Sequence, residues 1–185
     1  AGVAPAQCGR AGSGTGQGPY GLAMLVDGTG CSNWHGVATD IAFHALARTE
    51  KGEYTEHEIQ GLSVARRGKY LLRKGTGFEI VPSLRRHVRI AHHNLANADA
   101  QFVVPEAAAV FCRNVLMYFG RDESQASIRR IADRIPPGGH LFLGHSDSPG
   151  PMNSLFDPVH LAGALCYRRL DKVAAPGTGA SRSLE

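Results

Sequence analysis

The sequence contains no long hydrophobic run, no CxxC pair and no long run of basic residues. No apolar stretch approaches the roughly 20 residues of a membrane-spanning helix, so we expect no membrane insertion. The four cysteines lie far apart, which argues against a zinc site built on cysteine. Because the formal net charge is only +4 and the basic residues are dispersed, we expect no nucleic-acid partner, whereas an acidic protein partner is compatible with the charge.

The cysteine and histidine residues also bear on the cellular compartment of the protein and on whether it binds a metal. Cys112 and Cys166 stand in apolar stretches, which is typical of reduced, buried thiols. No signal peptide is visible, and together these features favour a cytoplasmic setting. The histidines are scattered, and the adjacent pair His92-His93 lacks the spacing of a helical metal pair, so we expect no metal site.

The length and composition indicate one globular domain. The chain has 185 residues, of which 43% are hydrophobic, enough for a full core. We expect the domain to cover residues 8–170, and the Pro/Gly/Ser-rich residues 171–185 to form a flexible tail. The sequence leaves the oligomeric state open.

The order of the predicted elements is that of a doubly wound α/β sheet. A glycine-rich loop is followed by a helix over 19–26, a strand over Trp34–Asp40 and a helix over 41–54 that ends near Gly52. Residues 55–90 read as a small insertion with a β-hairpin that pairs Tyr70–Leu72 with Phe78–Val81. The α/β pattern then resumes with strands at 88–95, from 107, at 140–145 and at 164–170, and a helix over 121–135 that buries Ile128, Ile131, Ala132 and Ile135.

The stretch AGSGTGQGPY carries glycines at alternate positions from Gly12 to Gly18. No Gly-Lys-Ser/Thr follows, so a Walker A phosphate loop is excluded, and a plain solvent loop is one alternative. Asp40 ends the second predicted strand, where a carboxylate can accept hydrogen bonds from ribose hydroxyls, or else can cap the following helix. This pair indicates a nucleoside cofactor and does not distinguish NAD from S-adenosylmethionine (SAM).

Polar side chains follow another apolar strand in VFCRNVLMYF. Arg113 can pair with a carboxylate such as that of SAM, and Asn114 offers both an acceptor and a donor. Tyr118 lies about one helical turn beyond Asn114, so its hydroxyl can share the same wall. A surface ion pair, a helix cap and core packing are the respective structural alternatives for these residues.

The sequence resembles the CheR chemotaxis receptor methyltransferases, which use SAM. The matching stretches, in order from about residue 9 to residue 170, are AGSGTGQGPYGLAM, ATDI, KGEY, HHNL, FCRNVLMYF and PPGGHLFLGHSDS. The resemblance implies a Rossmann-like class I SAM-dependent methyltransferase sheet with a small inserted antiparallel β-subdomain. It also implies that the enzyme converts glutamate side-chain carboxylates of chemoreceptor cytoplasmic domains to methyl esters.

The resemblance assigns roles to individual positions. Gly12, Thr15 and Gly18 belong to the SAM loop, and Asp40 contacts the ribose. Asn94 and Leu95 flank the adenine, while Arg113 and Asn114 line the pocket near the reacting end. Arg113 and Tyr118 are the expected catalytic residues, and His145 and Ser146 match a family motif with a structural role.

Three departures from the family pattern affect what we expect. The loop has Gln17 and Gly18 where the family has two glutamates, and the second of these contacts the methionine part of SAM. Losing that charge-assisted hydrogen bond predicts roughly 10- to 100-fold weaker SAM binding. The first strand, APAQCGR, has little apolar content, which predicts a weak sheet centre. The family's N-terminal helical domain, which docks receptors, is not in this sequence.

These departures keep two alternative functions open. One is a degenerate module that binds and signals without catalysis. The other is a methyltransferase with a different acceptor. An NAD dehydrogenase is the least favoured reading.

Overall fold

The computed structural model describes residues 6–12, 14–97, 106–145, 147, 154–161 and 163–171. The predicted tail therefore lies outside the described residues except for Asp171. In chain order the elements are β1 (Ala6–Ala11), α1 (Gln17–Gly28), β2 (Trp34–Asp40), α2 (Phe43–Lys51), β3 (Glu53–Tyr54), α3 (Glu56–Ile59), α4 (Val64–Tyr70), β4 (Leu71–Lys74), β5 (Gly77–Ile80), α5 (Pro82–Arg85), β6 (Val88–His92), β7 (Ala109–Cys112), a 3₁₀ turn (Leu116–Tyr118), α6 (Arg121–Ala132), β8 (His140–Leu143), β9 (Phe156–Leu161) and β10 (Ala164–Arg169).

Seven strands form the main sheet in the order β6-β2-β1-β7-β8-β10-β9. The first five of these are parallel, and β10 runs antiparallel to both of its neighbours. The order reverses direction between β1 and β7, which makes the carboxyl ends of these strands the topological switch point where open α/β sheets bind ligands. The doubly wound sheet predicted from the sequence is confirmed.

One hydrophobic core lies between the sheet and α6. The strand register places Val37, Gly9, Val110 and Leu141 in one row across the sheet. The valines and the leucine of this row pack in one cluster with residues of α6. All four apolar residues predicted to be buried are buried, but the helix ends at Ala132 rather than at residue 135, so Ile128, Ile131 and Ala132 lie on α6 and Ile135 lies three residues beyond its end.

The first strand forms despite its low apolar content. β1 pairs with β2 on one side and with β7 on the other, so its backbone is bonded at the centre of the sheet. Ala11 is buried, and Gly9 is buried between Val37 and Val110 in the strand register. Backbone pairing and the larger side chains of the neighbouring strands therefore hold this strand in place.

The inserted segment forms a small antiparallel sheet in the order β3-β5-β4. The predicted hairpin is present with shifted bounds, since it pairs Leu71–Lys74 with Gly77–Ile80 and Tyr70 belongs to α4. A second hydrophobic cluster joins this sheet to α1, and it contains Tyr20 and Met24 of α1 together with Tyr54, Tyr70 and Ile80 of the insertion. The insertion is thereby fixed to the helix that follows the glycine loop.

Several boundaries differ from the predictions. The helix expected from residue 41 begins at Phe43, and it ends at Lys51 because Gly52 adopts the left-handed conformation with φ of 65°. Strand β9 was not predicted. It contains Pro158, which a strand accommodates at the edge of a sheet, where β9 lies. Within the described ranges, no helix is long and apolar enough to cross a membrane.

Candidate functional site

The glycine loop between β1 and α1 depends on the absence of side chains. Gly12, Gly14 and Gly16 all have positive φ, at 68°, 55° and 91°. A Cβ on Gly16 would lie 2.5 Å from the hydroxyl of Tyr54 and 2.9 Å from Oγ1 of Thr49. The loop therefore turns in a conformation and a space that only glycine fits.

Hydrogen bonds from two other elements hold this loop. Thr49 of α2 shares its Oγ1 proton between the carbonyl of Ala45, over 2.9 Å, and that of Gly14, over 3.2 Å, and Tyr54 of β3 donates to the carbonyl of Thr15 over 3.1 Å. Burial raises the pKa of Tyr54, which keeps its hydroxyl protonated as a donor. The loop is consequently preorganised before any ligand binds.

Asp40 at the end of β2 connects the loop to the sheet. Its Oδ2 accepts a hydrogen bond from the amide of Gly14 over 2.8 Å, and its Oδ1 accepts one from the amide of Ala42 over 2.9 Å. Ala42, not Asp40, is the N-cap residue of α2, so the capping alternative is wrong. Each carboxylate oxygen has a second lone pair, which leaves acceptor capacity for a ribose hydroxyl.

Exposed apolar side chains follow Asp40. Ile41 is 58% exposed, and Phe43 is 71% exposed with its ring stacked 4.2 Å from that of His92. The amide of His93 donates to the carbonyl of Asp40 over 3.0 Å, so the ends of β2 and β6 are joined. Together these residues give the crevice an apolar wall beside the carboxylate.

The predicted adenine residues follow β6. Asn94 accepts through Oδ1 from the amide of Ala96, which fixes the turn. Leu95 is only 6% exposed and packs in the core against α6, while its carbonyl accepts from Ser127 over 3.1 Å. Their contact with adenine stays a prediction.

A second loop carries the predicted polar wall at the end of β7. Arg113 and Asn114 are exposed, and Asn114 has φ of 59°, an unusual conformation for a residue other than glycine. A Cβ on Gly12 would overlap the side chain of Val115, so this loop abuts the glycine loop. The 3₁₀ turn then leaves Tyr118 79% exposed, open to an acceptor.

Asp147 holds this second loop, and sequence reasoning missed it. Its Oδ2 accepts from the amide of Asn114 over 2.7 Å and from that of Gly144 over 3.1 Å. Its Oδ1 accepts from the amide of Met117 over 3.1 Å. An acidic residue four positions after the last residue of the apolar strand HLFL was the available signal. His145 is exposed, and Ser146 lies outside the described residues.

Arg10 is the other charged residue that sequence reasoning missed. It lies near the end of β1, and its guanidinium packs over Gly18 in the first turn of α1. Its position in a strand of low apolar content was the only signal. Within the described part of the chain, no group of three or more His, Cys, Asp or Glu residues could hold a metal ion.

Comparison with known proteins decides the family. The model of the family described as "CheR methyltransferase, SAM binding domain" matches residues 6–163. The chain belongs to the CheR methyltransferase family. Chemotaxis protein methyltransferase Cher2 of Pseudomonas putida is 32% identical over 163 residues, which are 83% of this chain and 58% of that protein. The chemotaxis protein methyltransferase of Escherichia coli is 35% identical over 143 residues, which are 72% of this chain and 49% of that protein.

This CheR chain thus spans about half the length of the curated relatives it matches. Among solved structures, the N-methyltransferase NodS from Bradyrhizobium japonicum, in complex with S-adenosyl-L-homocysteine (SAH), aligns with a TM-score of 0.54. That alignment has 13% identity and covers 91% of this chain and 80% of NodS. The likeness shows the fold, a class I SAM-dependent methyltransferase sheet.

The CheR site fits the cofactor of its family. The preorganised glycine loop lets a ligand approach the backbone, and Asp40 retains acceptor capacity at the position suited to ribose. The apolar wall of Ile41 and Phe43 suits a base. SAM is therefore the cofactor that these residues accommodate.

Proposed function

We propose that this CheR domain uses SAM to methylate glutamate side-chain carboxylates of chemoreceptor cytoplasmic domains, forming methyl esters. One observation carries the proposal. The glycine loop, Asp40 and the exposed segment from Arg113 to Tyr118 converge at the switch point of the sheet. The Gly14 amide donates a hydrogen bond to Asp40, and Gly12 packs against the side chain of Val115.

On the cofactor side, different residues contact the ribose, the adenine and the methionine part of SAM. Asp40 accepts hydrogen bonds from the ribose hydroxyls, and the chain around Asn94 and Leu95 borders the adenine. Gly12, Thr15 and Gly18 let the loop backbone approach the methionine part. SAM supplies a methyl group on a positively charged sulfur that departs as a neutral thioether.

The acceptor side needs positioning more than acid–base chemistry. An acceptor carboxylate oxygen forms the new bond to the methyl carbon without losing a proton, so no general base is required. Arg113 carries the opposite charge to the acceptor, and Tyr118 offers a hydroxyl on an exposed turn. These two side chains hold the carboxylate in line with the methyl group, and such positioning can contribute several kcal/mol, roughly 7–11 in favourable cases.

The charge of the chain is compatible with an acidic receptor segment. Its formal net charge of +4 attracts an acidic partner weakly over a distance. Receptor choice within this proposal depends on the whole protein, since the curated relatives extend well beyond the matched part.

A labelled-methyl assay tests the proposal. Receptor cytoplasmic fragments are incubated with the chain and methyl-labelled SAM, and mass spectrometry locates the methyl groups before and after base treatment. We expect base-labile methyl esters on glutamate, a strong loss of turnover in Tyr118→Phe and Arg113→Ala, and no loss in Arg129→Ala, an exposed control on α6.

Other outcomes identify the alternatives. Base-stable methyl groups, or methylation of a different molecule, would replace the acceptor in the proposal. SAH binding without any methyl transfer would support the non-catalytic module, which the replacement of both loop glutamates by Gln17 and Gly18 makes the second candidate.

A further inference from the structure

Two arginines flank the switch point of the sheet. Arg10 lies near the carboxyl end of β1, and Arg113 follows the last residue of β7, the strand that pairs with β1. Their positive charges are close enough that Arg113 lowers the pKa of Arg10. Two positive charges therefore stand at the edge of the sheet where β1 and β7 end.

The Arg10 guanidinium occupies a space that a side chain at position 18 would otherwise fill. A Cβ built on Gly18 would lie 2.5 Å from Nε and 2.6 Å from Nη2 of Arg10. Arginine at position 10 and glycine at position 18 are thus sterically matched. A cation stands here in place of the carboxylate that the CheR pattern has in this loop.

Among the residues that the structure describes, the Arg10 guanidinium has no anionic partner. Its Nε is buried and has no hydrogen-bond partner among the described residues. Burial is the main cause of its lowered pKa, ahead of the charge of Arg113. No described carboxylate forms an ion pair with Arg10 or Arg113. Asp40 and Asp147, the acids of the two loops, accept backbone amides, and no carboxylate is among the groups whose charge shifts the pKa of Arg10.

We propose that Arg10 binds the α-carboxylate of the methionine part of the cofactor, while Arg113 remains with the acceptor carboxylate. This inference rests on the proposed use of SAM. A planar guanidinium can hold a carboxylate through two parallel hydrogen bonds, and desolvation strengthens that pairing. Recognition in this chain thereby moves from the ammonium group of the cofactor, which a loop glutamate would bind, to its carboxylate.

Calorimetric titration of the whole chain tests the proposal with three probes: SAH, decarboxylated SAH and 5′-methylthioadenosine, which lacks the amino-acid part. We expect decarboxylated SAH to bind roughly 10- to 100-fold more weakly than SAH, the value of a charge-assisted hydrogen bond. Arg10→Ser should weaken the binding of SAH by the same factor and leave the affinity for decarboxylated SAH unchanged. Arg129→Ser is the matched control and should alter neither.

A paired exchange checks the steric match. Gly18→Glu alone should weaken SAH binding because the new side chain overlaps Arg10, whereas Gly18→Glu added to Arg10→Ser should recover it through the ammonium group. Arg10→Lys keeps the positive charge but loses the paired N–H donors of the guanidinium. Its affinity for SAH should lie between that of the wild type and that of Arg10→Ser. The comparison of probes on the wild type needs no variant to fold.

Three results would overturn the inference. Equal affinity for SAH and decarboxylated SAH removes the carboxylate contact while leaving SAM use intact. Tighter SAH binding in Arg10→Ser makes Arg10 an obstruction rather than a ligand. Failure of every adenosyl probe to bind, methylthioadenosine included, refutes the proposed function itself and this inference with it.

Discussion

Replacing Asp147 should unfold the loop that presents Arg113 and Tyr118. The Asp147 side chain is 8% exposed and accepts three backbone amides, from Asn114, Met117 and Gly144. Two of these amides belong to the loop after β7, where Asn114 is held at φ of 59°. Without the carboxylate, nothing else described bonds these two amides, and the left-handed residue loses its support.

The magnitude follows from the amides left without an acceptor. Each buried amide without a partner costs about 1–3 kcal/mol, and water reaches the exposed side of this loop, so Asp147→Ala should lower the free energy of unfolding by about 3–4 kcal/mol. Asp147→Asn keeps one oxygen, which can accept two of the amides. It should therefore cost about 1–2 kcal/mol.

Urea unfolding measures both variants against a matched control. Asp157→Ala removes an aspartate of the edge strand β9 whose 3.4 Å ion pair with Arg168 is about half exposed, and it should cost less than about 1 kcal/mol. SAH titration of the variants that remain folded should show weakened binding for Asp147→Ala and Asp147→Asn and unchanged binding for Asp157→Ala. If Asp147→Ala lowered the free energy of unfolding no more than Asp157→Ala does, the conclusion that Asp147 holds this loop would be refuted.

Three further predictions concern the loop, the thiols and the pH response. Gly16→Ala should lose about 1–3 kcal/mol of stability because of its positive φ and the contact with Tyr54, whereas Gly21→Ala, in open space on α1, should be neutral or stabilising by urea unfolding. Iodoacetamide at neutral pH should label the exposed Cys31 alone. Burial raises the pKa of Cys8 to about 11 and that of Cys112 to about 12, and Cys166 is buried. Labelling of a second cysteine, detected by mass spectrometry, would contradict this. Burial lowers the pKa of His93 below its ordinary 6.5, so the unfolded chain takes up the proton first and stability should fall as the pH drops below about 6.5; His93→Gln should lessen that fall in urea titrations at successive pH values.

Local patterns in the sequence predicted the elements whose signals are local. β2 was placed at its observed bounds, and the hairpin and the buried face of α6 follow from alternation and helical spacing. β9 escaped because its proline and mixed polarity resemble a loop, and only pairing with β10 makes it a strand. The tertiary context supplied what the pattern lacked.

The site divides in the same way. Asp40 and the glycine loop were predictable because a strand end and a glycine spacing mark them. The roles of Arg10, Asp147 and Tyr54 depend on contacts 8, 33 and 39 residues away along the chain, and the local sequence does not show which residues they contact. At position 18 the sequence shows only that glycine replaces the glutamate of the family pattern. The structure shows in addition that the Arg10 guanidinium occupies the space beside Gly18.

The most direct test of the central claim is a titration of the isotope-labelled chain with SAH, followed residue by residue through its backbone amide resonances. The account predicts that the amides of Gly12, Gly14 and Gly16 shift together with those after β2 and β7, with a single dissociation constant. The hairpin amide of Gly75 should stay in place. An absence of shifts at millimolar SAH, or shifts away from the switch point, would contradict the account.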